Sequence, residues 1–154
     1  RLAEYGDGAA FDLPRPLLHS GDLDFSFAGL KTAVLTRARR HEGAACDQWR
    51  ADLAAATQAA IVEVLVSKSM RALRQTGLSR LVVAGGVGAN ALLRQQLDAA
   101  CAAAGVLLHY PELRLCSDNG AMIALAAAMR VQSGCSHPQR EFGFGVQPRW
   151  ALGT

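Results

Sequence analysis

Two short stretches of this chain carry residue types at spacings that chemistry uses. In the first, Leu81-Val82-Val83-Ala84-Gly85-Gly86-Val87-Gly88-Ala89-Asn90, an apolar β-branched run breaks into glycines and then into a helix-forming segment. A strand that hands over to a helix in this way presents backbone N–H groups and the positive end of a helix dipole, which suits a phosphate or a nucleotide. Gly85 and Gly86 have no Cβ, so the backbone there can lie flat against a purine or ribose. Asn90 offers donors and an acceptor to a sugar or base, and it reads equally well as a helix cap. In the second stretch, Cys116-Ser117-Asp118-Asn119-Gly120, the Asp118 carboxylate stands at a helix start. The first N–H groups of a helix lack partners and the dipole favours negative charge, so local physics favours Asp118 as a cap over other roles.

A competing pattern overlaps the first stretch. Gly86-Val87-Gly88-Ala89-Asn90-Ala91 satisfies the dinucleotide fingerprint G-x-G-x-x-[GA], and Glu112 could serve as the ribose-binding acid. A Rossmann domain, however, needs further strands on both sides of this unit, and the adjoining segments here are helical in pattern. The other reactive residues organise less. Cys46, Cys101, Cys116 and Cys135 form no Cys-x-x-Cys pair and have no flanking histidines at metal spacing, so they read as packing residues. Lys31, Arg37, Arg39, Arg40 and His41 gather on one helical stretch, either as a solvated face or as a support for a phosphate backbone.

The elements that must position these residues follow from periodicity and punctuation. The first 23 residues, with Gly6, Gly8, Pro14, Pro16 and Gly21, read as irregular. A helix is predicted from Gly29 to His41. Asp47 is the expected N-cap of a longer helix reaching Thr76 and ended by Gly77. The middle of that helix, Ala59 to Val66, is apolar almost all round, as in a helix held between layers. A βαβ unit comes next: strand Arg80 to Ala84, helix Asn90 to Ala104 closed by Gly105, and strand Val106 to Tyr110. The two strands should be parallel neighbours, with the ligand edge at their carboxyl ends, where Gly85, Gly86 and Pro111 fall. A further helix, Ser117 to Ser133, should begin near that edge, so that two helix starts converge. The tail Glu141-Phe142-Gly143-Phe144-Gly145 turns repeatedly, and Pro148-Arg149-Trp150 closes the fold.

Composition sets outer limits. The 154 residues are 51% hydrophobic and 19% charged, too apolar for a disordered tail. They contain no unbroken apolar run of about 20 residues, the length a membrane span requires. The net charge of +3 is compatible with an RNA partner. With no charged-then-apolar leader at Arg1, a cytoplasmic location is expected.

Five segments, taken in order and at their separations, carry a specific resemblance. They are Pro14-Arg15-Pro16, Asp24-Phe25-Ser26-Phe27-Ala28-Gly29-Leu30-Lys31-Thr32, the Gly85 to Asn90 turn, Cys116-Ser117-Asp118-Asn119-Gly120-Ala121-Met122-Ile123, and Val146-Gln147-Pro148-Arg149-Trp150. Together they resemble the C-terminal part of the tRNA N6-threonylcarbamoyladenosine transferase family (TsaD, formerly Gcp). Ala28 stands where that family usually has serine in S-F-S-G-L-K-T, and Gly88 fills a slot commonly Ser or Ala. The resemblance implies a helix-rich α/β fragment of an actin-like ATPase fold with a small parallel sheet. Residues 1–154 would be mainly the C-terminal lobe, without the N-terminal lobe.

It further implies that the intact enzyme transfers the threonylcarbamoyl group of threonylcarbamoyl-adenylate to N6 of adenosine 37 in tRNAs reading codons that begin with A. Gly85, Gly86 and Asn90 would take the adenosine side, and Asp118 would be one ligand of a divalent metal, iron or zinc. The family's other protein ligands are two histidines four apart, and His19, His41, His109 and His137 include no such pair. The implied partners are tRNA, an inactive paralogue forming a heterodimer, and a small ATPase of the same pathway. This chain alone would be inactive. Two readings from other classes stand beside this one: a metal-dependent glycoprotein endopeptidase, the family's older label, and a non-catalytic assembly module.

Overall fold

The computed structural model describes residues 1–41, 46–117, 119–138, 143 and 145. Asp118, most of the Glu141 to Gly145 tail and the Val146 to Trp150 segment lie outside the described residues. The chain forms two compact units, Arg1–Ser117 and Asp118–Thr154.

The spine of the first unit is a 30-residue helix, α2 (Asp47–Thr76), preceded by α1 (Ala28–Arg40). Asp47 is not the cap of α2: Cys46 is, its Sγ accepting the Trp49 N–H at 3.5 Å, while Asp47 is the first helical residue. The far end follows the sequence, with Gly77 in the left-handed region at φ 69° and its N–H donating to the Leu73 carbonyl. Glycine takes that conformation without a Cβ penalty, which is why the helix stops there. By length and composition α2 could cross a bilayer, yet it is the core helix of this unit, with Ala60 and Val64 wholly buried.

The near-continuous apolar surface of α2 is covered on two sides. Leu53, Ala56 and Ala60 pack with Leu13 and Leu30, joined by Phe11, Phe27 and Trp49. Further along, Val62 meets Leu93 and Leu97, and Met70 and Leu73 meet Cys101. Those partners sit on α3 (Ala91–Ala104), which joins β1 (Arg80–Val82) to β2 (Leu107–His109). The strands are parallel, with Arg80 opposite Leu107, Leu81 opposite Leu108 and Val82 opposite His109. Both are shorter than the pattern suggested, although the Val83 N–H extends the ladder to the His109 carbonyl at 3.0 Å. Leu81 and Leu108 turn toward α2 and α3, while Val82 and Leu107 are exposed on the other face, as the period of two requires.

The second unit contains α4 (Gly120–Gln132), shorter at its start than expected because its cap is Asn119, whose Oδ1 accepts the Met122 N–H at 3.0 Å. The α3 and α4 starts therefore belong to separate units. Ile123, Leu125 and Met129 of α4 are all exposed.

Candidate functional site

Parallel pairing places both strand exits on one edge, so the glycine turn after β1 lies beside the Pro111 loop after β2. Gly85 adopts φ 83° and ψ 175°, a region essentially closed to residues with a Cβ. Gly86–Ala89 then make one 3-10 turn before α3, an element that the sequence reading did not anticipate. A Cβ built on Gly85 or Gly86 would meet nothing within 4 Å, so the backbone face of this turn is open. Gly88, by contrast, is buried against Val83.

Asn90 is the N-cap of α3, its Oδ1 accepting the Leu93 N–H at 2.9 Å. The capping reading is therefore realised, and it uses only the oxygen. Among the described residues the Nδ2 amide has no hydrogen-bond partner, and the half-buried side chain lines two clefts. One is a groove of about 840 Å³ with largely apolar walls from α1 and α2, including Leu35, Trp49 and Ile61, and with Val87 beside Asn90. The other, of about 690 Å³, is lined by Gln58, Gln95 and Gln96 as well as Asn90.

Glu112 is committed to Arg114 at 2.6 Å, and among the described residues the sheet has two strands, so the Rossmann alternative finds no support. The basic stretch divides. Arg37 stacks over Phe11 at 5.4 Å and donates to the Asp12 carbonyl, and His41 lies against Trp49 at 4.7 Å. Lys31, Arg39 and Arg40 remain exposed. Cys101 and Cys116 are buried packing residues as expected, whereas Cys46 and Cys135 are exposed. Burial, then the nearby Asp98 charge, pushes the Cys101 thiol up from its ordinary pKa, which keeps it protonated and inert.

The described residues contain no group of three His, Cys, Asp or Glu side chains that could hold a metal ion, and Asp118 lies outside them. The N-cap of the helix that follows is Asn119.

Two side chains that the sequence reading passed over organise the unit. Lys68, 1% exposed in mid-α2, donates to Asp22 Oδ1 at 2.8 Å, Ser20 Oγ at 3.1 Å and the carbonyls of Asp22 and Asp24 at 3.2 and 2.6 Å. It thereby fixes the loop that leads into Asp24-Phe25-Ser26-Phe27. A lysine inside an apolar helical stretch was the available signal. The second is Arg94, whose Nε donates to the Gly88 carbonyl at 2.6 Å.

A parallel βαβ unit, a glycine turn at its carboxyl edge and open clefts beside that turn define the class: an α/β protein with a candidate site at the strand exits. Sequence comparison then names the family. The family model described as TsaD, tRNA N6-adenosine threonylcarbamoyltransferase, matches residues 1–125. Proteins named tRNA N6-adenosine threonylcarbamoyltransferase are similar along nearly all of this chain. That of a Polaromonas species is 70% identical over 151 residues, covering 98% of this chain and 43% of the relative. That of Paracidovorax citrulli is 69% identical over 152 residues (99% and 43%), and that of Variovorax paradoxus 68% over 154 (100% and 44%). The chain belongs to the TsaD family, and it spans less than half the length of these relatives.

Proposed function

We propose that the full-length protein transfers the threonylcarbamoyl group of threonylcarbamoyl-adenylate to N6 of adenosine 37 in tRNAs reading codons that begin with A. In this reaction N6 attacks the carbamoyl carbon, the bond from that carbon to the phosphate oxygen breaks, AMP departs with that oxygen, and the amine gives up one proton. This chain supplies the adenosine side of the site, within the C-terminal part of an actin-like ATPase fold. Family membership supports the reaction. Asn90 supports the site: its oxygen caps α3 while its amide remains available above an open glycine turn. Gly85 and Gly86 admit the ribose or purine, and Asn90 donates to it and fixes its orientation.

The family resemblance adds one divalent metal, iron or zinc. The described residues do not form a set that fits it, and Asp118 is proposed as a single ligand completed from elsewhere in the full-length protein. Tethering both substrates requires the rest of the enzyme, so this chain alone is proposed to be inactive. The proposed partners are tRNA, an inactive paralogue in a heterodimer, and a small ATPase, all in the cytoplasm. The endopeptidase and assembly-module readings gain no observation here.

Asn90 provides the test, because aspartate caps a helix as well as asparagine does but cannot donate. In the full-length enzyme, Asn90→Asp should leave the melting temperature unchanged and weaken adenylate binding by about 1 to 3 kcal/mol, measured by calorimetry. Undiminished affinity would reduce Asn90 to a cap.

A further inference from the structure

Arg94 joins the two loops that leave the sheet. Its Nε donates to the Gly88 carbonyl at 2.6 Å, inside the turn after β1. Its Nη2 reaches the Pro111 carbonyl at 3.4 Å and Cys116 Sγ at 3.5 Å, both in the loop after β2. The guanidinium lies 4.3 Å over the Tyr110 ring. Tyr110 in turn donates its hydroxyl to the Arg94 carbonyl at 3.3 Å and to Asp98 Oδ1 at 3.4 Å, which fixes the ring from α3. Burial and the Asp98 charge raise the phenol to about 12, so that hydroxyl remains a donor at neutral pH. The far anchor is firm as well, because Cys116 is 2% exposed and its thiol donates to the Glu112 carbonyl at 3.6 Å.

These contacts have one feature in common. The polar groups that the guanidinium takes belong to the two strand exits, and the turn it grips ends two residues later at Asn90. Gly88 also donates its N–H to the Gly85 carbonyl at 3.0 Å, so the hold on Gly88 passes to both glycine and asparagine ends of the turn. We infer that Arg94 is a positioning residue: clamped on Tyr110, it fixes the glycine turn against the Pro111–Cys116 loop and so places Asn90 for the adenylate. This rests on the assignment of Asn90 to the adenosine side. A lysine cannot substitute, because a single ammonium has neither the planar fork that reaches two loops nor the flat face that stacks on the ring.

A double-mutant cycle in the full-length enzyme tests this, with a non-hydrolysable threonylcarbamoyl-adenylate analogue titrated by calorimetry. Asn90→Ala and Arg94→Lys should each weaken binding about tenfold, and together still only about tenfold, because Arg94 acts through Asn90. The Arg94→Lys melting temperature should stay within a few degrees of the parent. A hundredfold loss in the double variant, or unchanged affinity in Arg94→Lys, would overturn the positioning role while leaving the Asn90 site standing. Unchanged affinity in Asn90→Ala would remove the site itself and the inference with it. If Arg94→Lys melts too low to assay, Tyr110→Leu, which removes the ring beneath the guanidinium, enters the same cycle with the same expected coupling.

Discussion

At the scale of single residues, the ion pair between Lys68 and Asp22 shows how burial and function separate. A buried ammonium is tolerated only when acceptors surround it, and Lys68 has four. The hydrogen bond from Lys68, and then that from Ser20, holds the Asp22 carboxyl at about 2, below its ordinary 3.8. A carboxyl whose folded pKa is depressed adds stability that is complete above its unfolded value and vanishes as pH falls through the folded one. The parent protein should therefore lose melting temperature between pH 3.8 and about 2 more steeply than Asp22→Asn does. Parallel curves for the two proteins across that window would show that the pair is not felt. The carboxylate is half-exposed, so high salt should narrow the difference.

At the scale of elements, small residues decide how closely segments approach. The N-terminal turn Leu2–Tyr5 and the residues after it lie flat on the alanine stripe of α2, where a Cβ on Gly6 would overlap the Ala51 carbonyl and one on Gly8 would touch Ala59. Gly6→Ala should therefore push the turn off the helix and cost about 2 kcal/mol in denaturant unfolding. Gly86 gives the opposite expectation for the fold. A methyl there meets nothing and the φ is ordinary, so Gly86→Ala should change stability by less than about 0.5 kcal/mol while weakening the adenylate. Equal destabilisation by both substitutions would contradict this account of the two glycines.

At the scale of the whole molecule, the residues proposed for the site come from both compact units. The glycine turn and Asn90 belong to the first unit, Asp118 stands at the head of the second, and the relatives are more than twice as long. Asn119 is the N-cap of α4, and Asp118→Asn in the full-length enzyme keeps the size of the side chain and its capacity to cap while removing the charge. If Asp118 is a metal ligand, that variant should lose most bound metal and most transfer activity, with a melting temperature close to that of the metal-stripped parent. Full metal occupancy in the variant, measured by elemental analysis, would end the ligand assignment.

Much was legible in the sequence because it is written in local chemistry. Gly77 and Gly105 mark helix ends through the left-handed conformation that glycine adopts freely. The βαβ order dictates parallel strands, and the separations of five motifs identify the family, later matched over residues 1–125. What the sequence could not decide was which partner each polar atom finds. Cys46 displaced Asp47 as the cap of α2, because one residue's shift in a helix start changes which side chain reaches the free N–H groups. Lys68 and Arg94 each find partners 17 or more residues away, at Asp22 and at Pro111, that only chain folding brings within hydrogen-bond distance. Local propensity fixes where elements start and stop to within a few residues, whereas the positioning of a site depends on long-range contacts that no short window of sequence contains.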